Sequence, residues 1–171
     1  DLSVQGNVGA ALGSFTIVGT LQGTATVYVN TSINTLQLGD VNLSGSSVVG
    51  SGGDITSISA GNFLGGQLVG RNVGTLTTTG AFGVSAVSGE ASAVFRSLNS
   101  ATIGGSLSGT ISSDGTITSF TSAAVSGGGV RSGDQIKSIT VNGTSASARF
   151  SARNILGPVV LNGNVRDSLI V

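Results

Sequence analysis

Apolar and polar residues alternate in a short phrase that recurs along the whole chain. In residues 55–61, large apolar side chains stand at Ile55 and Ile58, and hydroxyl side chains stand at Ser57 and Ser59. Similar phrases begin at Leu12, Ile33, Val73, Phe95, Ile117, Ile136 and, in a degenerate form, Ile155. A fixed period of about 20 residues is typical of repeat proteins, in which each unit stacks on the next.

Each unit has the pattern of a strand between two turns. The alternation has a period of two, which is the period of a β-strand with one buried side. Glycines follow the phrase where a turning chain would need positive φ, at Gly19, Gly61, Gly80, Gly143 and Gly163. Turn-forming or polar residues precede the starts, at Asp54, Asn72, Gln135 and Asn154.

No unit has the length or the residues of a helix. We therefore predict an all-β fold, a single-stranded parallel β-solenoid (β-helix) with about eight coils of about 20 residues and roughly three short faces per coil. It would form one domain over residues 1–171, with partial coils at both ends.

The alternation also predicts which side chains face the interior. We expect one buried column made of Phe15, Leu36, Ile58, Leu76, Leu98, Phe120 and Ile139. A column of hydroxyls would lie outside it, made of Ser14, Thr35, Ser57, Thr75, Ser97, Ser119 and Ser138. At the N-terminus, residues 2–8 align with residues 15–21, with Asp1 in the hydroxyl position, which predicts a shortened first coil. Ser88, Gly89 and Glu90 predict a bulged loop.

The outward positions of the repeated strand form a candidate binding face. Strands about 4.8 Å apart would arrange these hydroxyls in two parallel columns on a flat surface. The residues are Ser14, Thr16, Thr35, Ser57, Ser59, Thr75, Thr77, Ser119, Thr121, Ser138 and Thr140, and the second column is interrupted by Gln37 and Asn99. Ice-binding solenoids carry regular Thr-x-Thr columns of this kind. The alternative is that Ser and Thr simply solvate a β-face with few charges.

Composition and charge exclude several classes of function. The chain has no His and no Cys, which excludes Ser–His and Cys–His catalysis, and only 8% of its residues are charged. Seven basic and seven acidic residues give a net charge of zero, and the basic residues are scattered along the chain. Because nucleic-acid binding needs a basic patch with stacking aromatics, we expect no nucleic-acid partner. Because no run of eighteen apolar residues occurs, we expect no membrane insertion.

Acidic residues raise two further possibilities, hydrolysis and calcium binding. Hydrolysis by paired carboxylates needs an acid and a second carboxylate placed across a sugar, and we predict that the chain is not an enzyme. Asp114 and Asp134 lie just before successive starts, so they would share a corner one coil apart. They could hold Ca²⁺ together with carbonyl oxygens, or they could cap turns or pair with Arg131. We expect no cofactor, and calcium at this corner is the alternative.

The repeats resemble a known type of protein. Residues 53–62 (GDITSISAGN) and 70–77 (GRNVGTLT) are similar to the degenerate repeats of large secreted β-helix proteins of planctomycetes and related bacteria. They also resemble the stalks of adhesins and autotransporter passengers. The resemblance implies an extracellular or cell-surface location and a structural or adhesive role.

Neither residues 1–8 nor residues 167–171 resemble the polar cap that a solenoid end needs. We therefore expect the ends to pair with each other in self-association, or with flanking domains of a longer chain. The sequence predicts a building block of a stalk, surface layer or filament through end-to-end packing. The alternative is a binding module, an adhesin for glycan or an ice-binding protein, that uses the Ser/Thr face.

Overall fold

The computed structural model describes residues 2–4, 11–84 and 91–171, which form an all-β structure without a helix. Within these residues, no helix has the length and apolar character needed to cross a membrane. The first ten strands are Leu2–Val4 (β1), Leu12–Gly23 (β2), Val27–Val29 (β3), Ile33–Leu43 (β4), Val48–Ser51 (β5), Ile55–Ala60 (β6), Phe63–Gly65 (β7), Gln67–Thr78 (β8), Ser92–Leu107 (β9) and Thr110–Ser113 (β10). The following ten are Ile117–Ser126 (β11), Gly129–Ser132 (β12), Gln135–Ile136 (β13), Ile139–Val141 (β14), Ser145–Ala146 (β15), Arg149–Ser151 (β16), Asn154–Ile155 (β17), Val159–Leu161 (β18), Val165–Arg166 (β19) and Leu169–Ile170 (β20).

Each coil has three short faces, and each face stacks on the same face of the next coil. In the coil that spans residues 33–54, residues 33–38 form face 1, residues 40–43 form face 2 and β5 forms face 3. The strands of neighbouring coils are parallel, as where β4 pairs with β6 and β6 with β8. The stack has about eight turns, so the predicted parallel β-solenoid is confirmed.

The interior is one apolar core built from the inward positions of all three faces. Ile58 is 1% exposed, whereas its neighbour Ser57 is only partly buried on the outer side, so the predicted register is confirmed there. On face 2, Phe63 and Phe82 are fully buried and stack with ring centroids 5.2 Å apart. Such a pair adds an aromatic contact to the burial of two large side chains.

The coil after Val73 begins at Leu98, so the start predicted at Phe95 is wrong. Leu98 pairs with Val73 in the preceding coil and with Ile117 in the following one, and both of these are coil starts. The predicted place of Leu98 in the buried column is also wrong, because Ala101 occupies it.

The mistaken start has a local cause. Residues 95–98 match the repeated phrase, because an apolar residue is followed two positions later by Ser and then by a large apolar residue. The segment that stacks in register is residues 98–101, and it matches the phrase less well because it ends in the small Ala101. Phe95 is fully buried on face 3, where it pairs with Gly70 and lies beside a position that has no side chain. The hydroxyl at this level of the outer column is therefore Ser100 and not Ser97.

The N-terminal strand β1 stacks on face 3 and not on face 1. Leu2 pairs with Val27 and Val4 pairs with Val29, so the predicted alignment of residues 2–8 with residues 15–21 is wrong. Alternation cannot tell the faces apart, because β1 and β3 share one apolar–polar–apolar pattern with face 1. The loop predicted at Ser88, Gly89 and Glu90 and the position of Asp1 lie outside the described residues.

Glycines stack on one another at the corner between faces 1 and 2. The amide of Gly61 donates to the carbonyl of Gly39, and the amide of Gly80 donates to that of Gly61, both at 3.0 Å. A Cβ atom on Gly61 would lie 2.4 Å from Oδ1 of Asp40 in the neighbouring coil. Of the five glycines for which positive φ was predicted, only Gly19 has it, at 98°. At Gly61 and Gly80, close approach of the preceding coil explains the glycine instead.

Asp40 joins two coils at this corner. Its Oδ1 accepts hydrogen bonds from the backbone amide of Asn62 at 2.7 Å and from Nδ2 of Asn62 at 3.0 Å. The backbone bond first, and then the side-chain bond, lower the pKa of Asp40 below its ordinary value of 3.8, because both favour the ionised carboxylate. Asn62 continues the ladder, since its Oδ1 accepts from the amide of Ala81 at 2.9 Å.

A second ladder follows the corner between faces 3 and 1. Asn72 Nδ2 donates to Oδ1 of Asp54 at 2.8 Å, and Ser97 Oγ donates to Oδ1 of Asn72 at 2.9 Å. Arg71 adds an exposed ion pair with Asp54 at 3.9 Å. The side chains of Asn72 and Ser97 thus each bond to a residue of the preceding coil.

Inward-facing serines form further hydrogen bonds at the corner between faces 3 and 1. The alternation of the sequence does not predict this role. The buried Ser132 donates to the carbonyl of Gly115 in the preceding coil at 2.7 Å and accepts from the amide of Asp134 at 3.2 Å. The buried Ser51 likewise donates to the carbonyl of Thr31 in the preceding coil and accepts from the amide of Gly53. In the sequence, such a corner serine can be recognised because it stands four residues before the start of the next coil, as at Ser51, Ser113, Ser132 and Ser151.

Replacing Ile58 with Ala should lower the free energy of unfolding by about 2–5 kcal/mol, because it opens a cavity between two coils. Ser57→Ala is the matched control and should change it little, since its hydroxyl makes only long bonds of 3.3 and 3.4 Å. Urea denaturation of both variants measures the difference. Equal losses in the two variants would contradict the assigned register.

The Asp40 ladder predicts a pH dependence. A carboxylate whose pKa is lowered by folding stabilises the fold above its ordinary value of 3.8, and this contribution is lost as the pH falls through the folded value. Asp40→Asn keeps an oxygen that accepts both bonds but has no charge. The difference in Tm between the wild type and this variant should therefore be constant above about pH 5 and should change as the pH drops below 3.8. A difference in Tm that stays constant down to about pH 2 would contradict a contribution of the Asp40 charge to stability.

Candidate binding face

Face 1 brings all eleven predicted hydroxyl residues together in two rows. We define row A as Ser14, Thr35, Ser57, Thr75, Ser100, Ser119 and Ser138, and row B as Thr16, Gln37, Ser59, Thr77, Thr102, Thr121 and Thr140. Ser138 belongs to row A because it precedes Ile139, which pairs with Phe120. Neighbouring members of a row are about 4.8 Å apart, and the rows are about 6.6 Å apart, the length of two strand residues.

The corrected register makes the face more regular than the sequence suggests. Ser100 and Thr102 stand where the repeat pattern places Ser97 and Asn99, because Thr102 pairs with Thr77 on one side and Thr121 on the other. Row B is thus Ser or Thr at every level except Gln37. At the last coil the row ends, since Thr140 pairs with Val160.

Two hydroxyls of row A bond to the preceding coil, whereas no hydroxyl of row B does so in the described part of the chain. In row A, Ser57 donates to the carbonyl of Asn34 and Ser138 donates to that of Thr118, both at 3.3 Å in the preceding coil. These bonds direct the hydroxyls toward the protein. The row B side chains have no hydrogen-bond partner within the described part of the chain, so their donors and acceptors are available to a ligand.

Rows A and B contain no ionisable side chain, and Lys137 beside Ser138 is an exposed charge at their edge. A ligand on this face would be recognised by hydrogen bonds and by fit to a flat surface. Serine and threonine hydroxyls become nucleophiles only with an adjacent base, and the two rows provide none. The arrangement is therefore suited to binding.

The carboxylates considered for calcium lie near one another at the corner between faces 3 and 1. Asp134 accepts a hydrogen bond from Oγ1 of Thr116 at 2.7 Å, and Asp114 is exposed. Gly133 stacks on Asp114, since a Cβ there would lie 2.5 Å from the Asp114 carbonyl oxygen. The described residues contain no group of three or more His, Cys, Asp or Glu residues that could hold a metal ion, and calcium at Asp114 and Asp134 stays the alternative to the prediction of no cofactor. Neither carboxylate forms an ion pair with Arg131 there.

Comparison of the chain with protein-family models, with characterised proteins and with solved structures finds no match. The resemblance to secreted β-helix proteins therefore depends on the repeats quoted above.

Proposed function

We propose that this chain is a structural β-solenoid of an extracellular or cell-surface protein, a building block of a stalk, surface layer or filament that packs end to end. The observation that supports this function is the apolar surface at the last coil, residues 155–171. Location outside the cell is supported by the resemblance of the repeats to secreted β-helix proteins.

Residues of the last coil continue the interior rows but are not covered. Phe150 and Ser145 are fully buried, whereas Ile170 and Val165, which pair with them, are 43% and 54% exposed. The residue pattern is that of the core. A coil stacked on this surface would bury these side chains as Phe150 is buried one level earlier.

The backbone of the last coil also supports end-to-end packing. The strands of the last coil bond to the preceding coil on one side, as where β20 pairs with β16. On their other side, the amides and carbonyls have no partner among the described residues, and unpaired strand edges recruit other strands. A contact between two different ends does not close on itself and so extends into a filament. About eight coils at one strand spacing each form a rod of roughly 40 Å per subunit.

Self-association should depend on the apolar end. The wild type should show larger particles as its concentration rises, and Val165→Asp should shift it toward monomers, because the charge would be buried in the junction. Val94→Asp is the matched control, since Val94 is 42% exposed on face 3 in the middle of the stack. Sedimentation velocity measures particle size, and circular dichroism checks that both variants stay folded. A wild type that remains monomeric at every concentration contradicts the proposal.

A second candidate function is a binding module, either an adhesin for glycan or an ice-binding protein, that uses row B. It is favoured by the regular spacing of Thr77, Thr102, Thr121 and Thr140 and by their unused hydroxyls. A rigid sheet fixes these groups before a ligand arrives, which lowers the entropy lost on binding.

Thr102→Lys tests this second function, because it places a long charged side chain in the middle of row B. It should abolish the effect of the protein on ice growth, or its retention on neutral glycans. Thr144→Lys is the control, since Thr144 is exposed but lies on a turn away from face 1. No binding by the wild type, or equal binding by both variants, would count against the face.

A further inference from the structure

Face 3 carries a groove whose rim contains three arginines. The groove has a volume of about 620 Å³ and is lined on one side by residues 127–133 and on the other by Arg149, residues 151–153 and Val171. Its basic residues are Arg131, Arg149 and Arg153, and all three are exposed. The groove therefore holds three of the chain's seven basic residues, although the net charge of the chain is zero.

The groove exists because glycines remove side chains from its floor. Gly129 pairs with Arg149 in the next coil and with Thr110 in the preceding one, and Gly127 and Gly128 come just before it. Arg131 pairs with Ser112 and Ser151, which are both small. Arg131 therefore stands between two small side chains, and Arg149 stands beside a glycine on the side that faces the preceding coil. The Cα atoms of Arg131 and Arg149 are about 8 Å apart, being one coil and two residues removed from each other.

The three guanidinium groups have no ion-pair or hydrogen-bond partner within the described part of the chain, where the one ion pair joins Arg71 to Asp54. No Asp or Glu lines the groove. Unpaired arginines leave their N–H donors available to a ligand, and the fork geometry of these donors matches carboxylate, sulfate and phosphate oxygens.

We propose that this groove binds an acidic polysaccharide, whose carboxylate or sulfate groups contact Arg131, Arg149 and Arg153. Arg131 and Arg149 occupy successive coils, and Arg153 lies in the same coil as Arg149, so a linear polyanion that crosses the coils can meet arginines of both coils. Thr110 and Ser151 add hydroxyls that can bond to sugar hydroxyls. The inference does not depend on end-to-end packing, because the groove lies on the side of the stack.

The lining argues against a single-stranded nucleic acid as the polyanion. Such proteins combine positive charge with aromatic side chains on which bases stack, and no residue that lines the groove is aromatic. The surface thus provides charge and hydrogen-bond donors but no stacking platform, which suits a sugar polymer.

The experiment measures binding of the full chain to four polymers by isothermal titration calorimetry. Polygalacturonate carries carboxylates, dextran sulfate carries sulfates, dextran is neutral, and a single-stranded oligodeoxythymidylate carries phosphates. The wild type should bind one or both acidic polysaccharides. The polymer with the lower Kd identifies the anionic group that the groove prefers. Binding should weaken as salt is added, because screening reduces the attraction.

Arg131→Gln combined with Arg149→Gln should raise the Kd for that polymer by about tenfold or more, since two charge-assisted contacts are lost. The matched control is Arg96→Gln with Lys137→Gln, which removes the same charge from two exposed positions outside the groove and should change the Kd by less than about twofold. Arg153→Gln alone should give an intermediate loss, and it tests the groove even if the double variant does not fold.

Several results would overturn the inference. They are equal losses in the groove and control variants, an unchanged Kd in both the double variant and Arg153→Gln, equal binding of neutral dextran, tighter binding of the oligonucleotide, and no binding of either acidic polysaccharide.

Discussion

Every coil of this protein must stack in register on a coil of almost the same shape, and this constraint decides which residues each position can hold. Parallel pairing places each side chain about 4.8 Å from its counterparts in the neighbouring coils. If the same position held a charged residue in two successive coils, the two like charges would face each other, and this repulsion would destabilise the stack. Low charge and outward rows of Ser and Thr follow from this. The arginines of face 3 respect the same rule, because Arg131 pairs with Ser112 and Ser151 rather than with another cation.

The corners are where stacking is most demanding, since the backbones of successive coils come close while each chain turns. The molecule meets this demand with two devices. Gly61 leaves room for the carboxylate of Asp40, and that carboxylate bonds to the amide of the next coil. At the other corner, the buried Ser132 bonds to a carbonyl of the preceding coil. In both places a side chain supplies a contact between coils that the strand ladder does not make, so the corners hold the faces in register.

The sequence predicts the fold and most of the register because alternation and period are properties of one coil that its neighbours repeat. Ile58 inside and Ser57 outside follow from alternation alone. Alternation and period mislead where the length of a coil varies. Phe95 imitates a coil start, and only pairing shows that Leu98 occupies that place. Alternation misleads again at β1, because all three faces share one alternating pattern. The arginine groove is hidden in the sequence, since Arg131 and Arg149 are far apart in the chain and become neighbours only when the coil length is known.

The three surfaces of the stack differ in the interaction that each can use, and this difference follows from the fold. The end of the stack presents core side chains such as Ile170, so its contacts are hydrophobic and gain little from charge. Face 1 presents uncharged hydroxyls in rows, so its contacts are directional and salt has little effect on them. Face 3 presents arginines, whose attraction for an anion falls as ionic strength rises. A ligand on face 1 would leave the end free, because the face runs along the stack while the end lies across it, whereas the groove of face 3 meets the end at Val171. A subunit that extends a filament through its end would therefore repeat the hydroxyl rows of face 1 and the arginine groove of face 3 along the filament's length. Weak contacts at one subunit would then add up over many, since linked sites bind the same polymer at a high effective concentration.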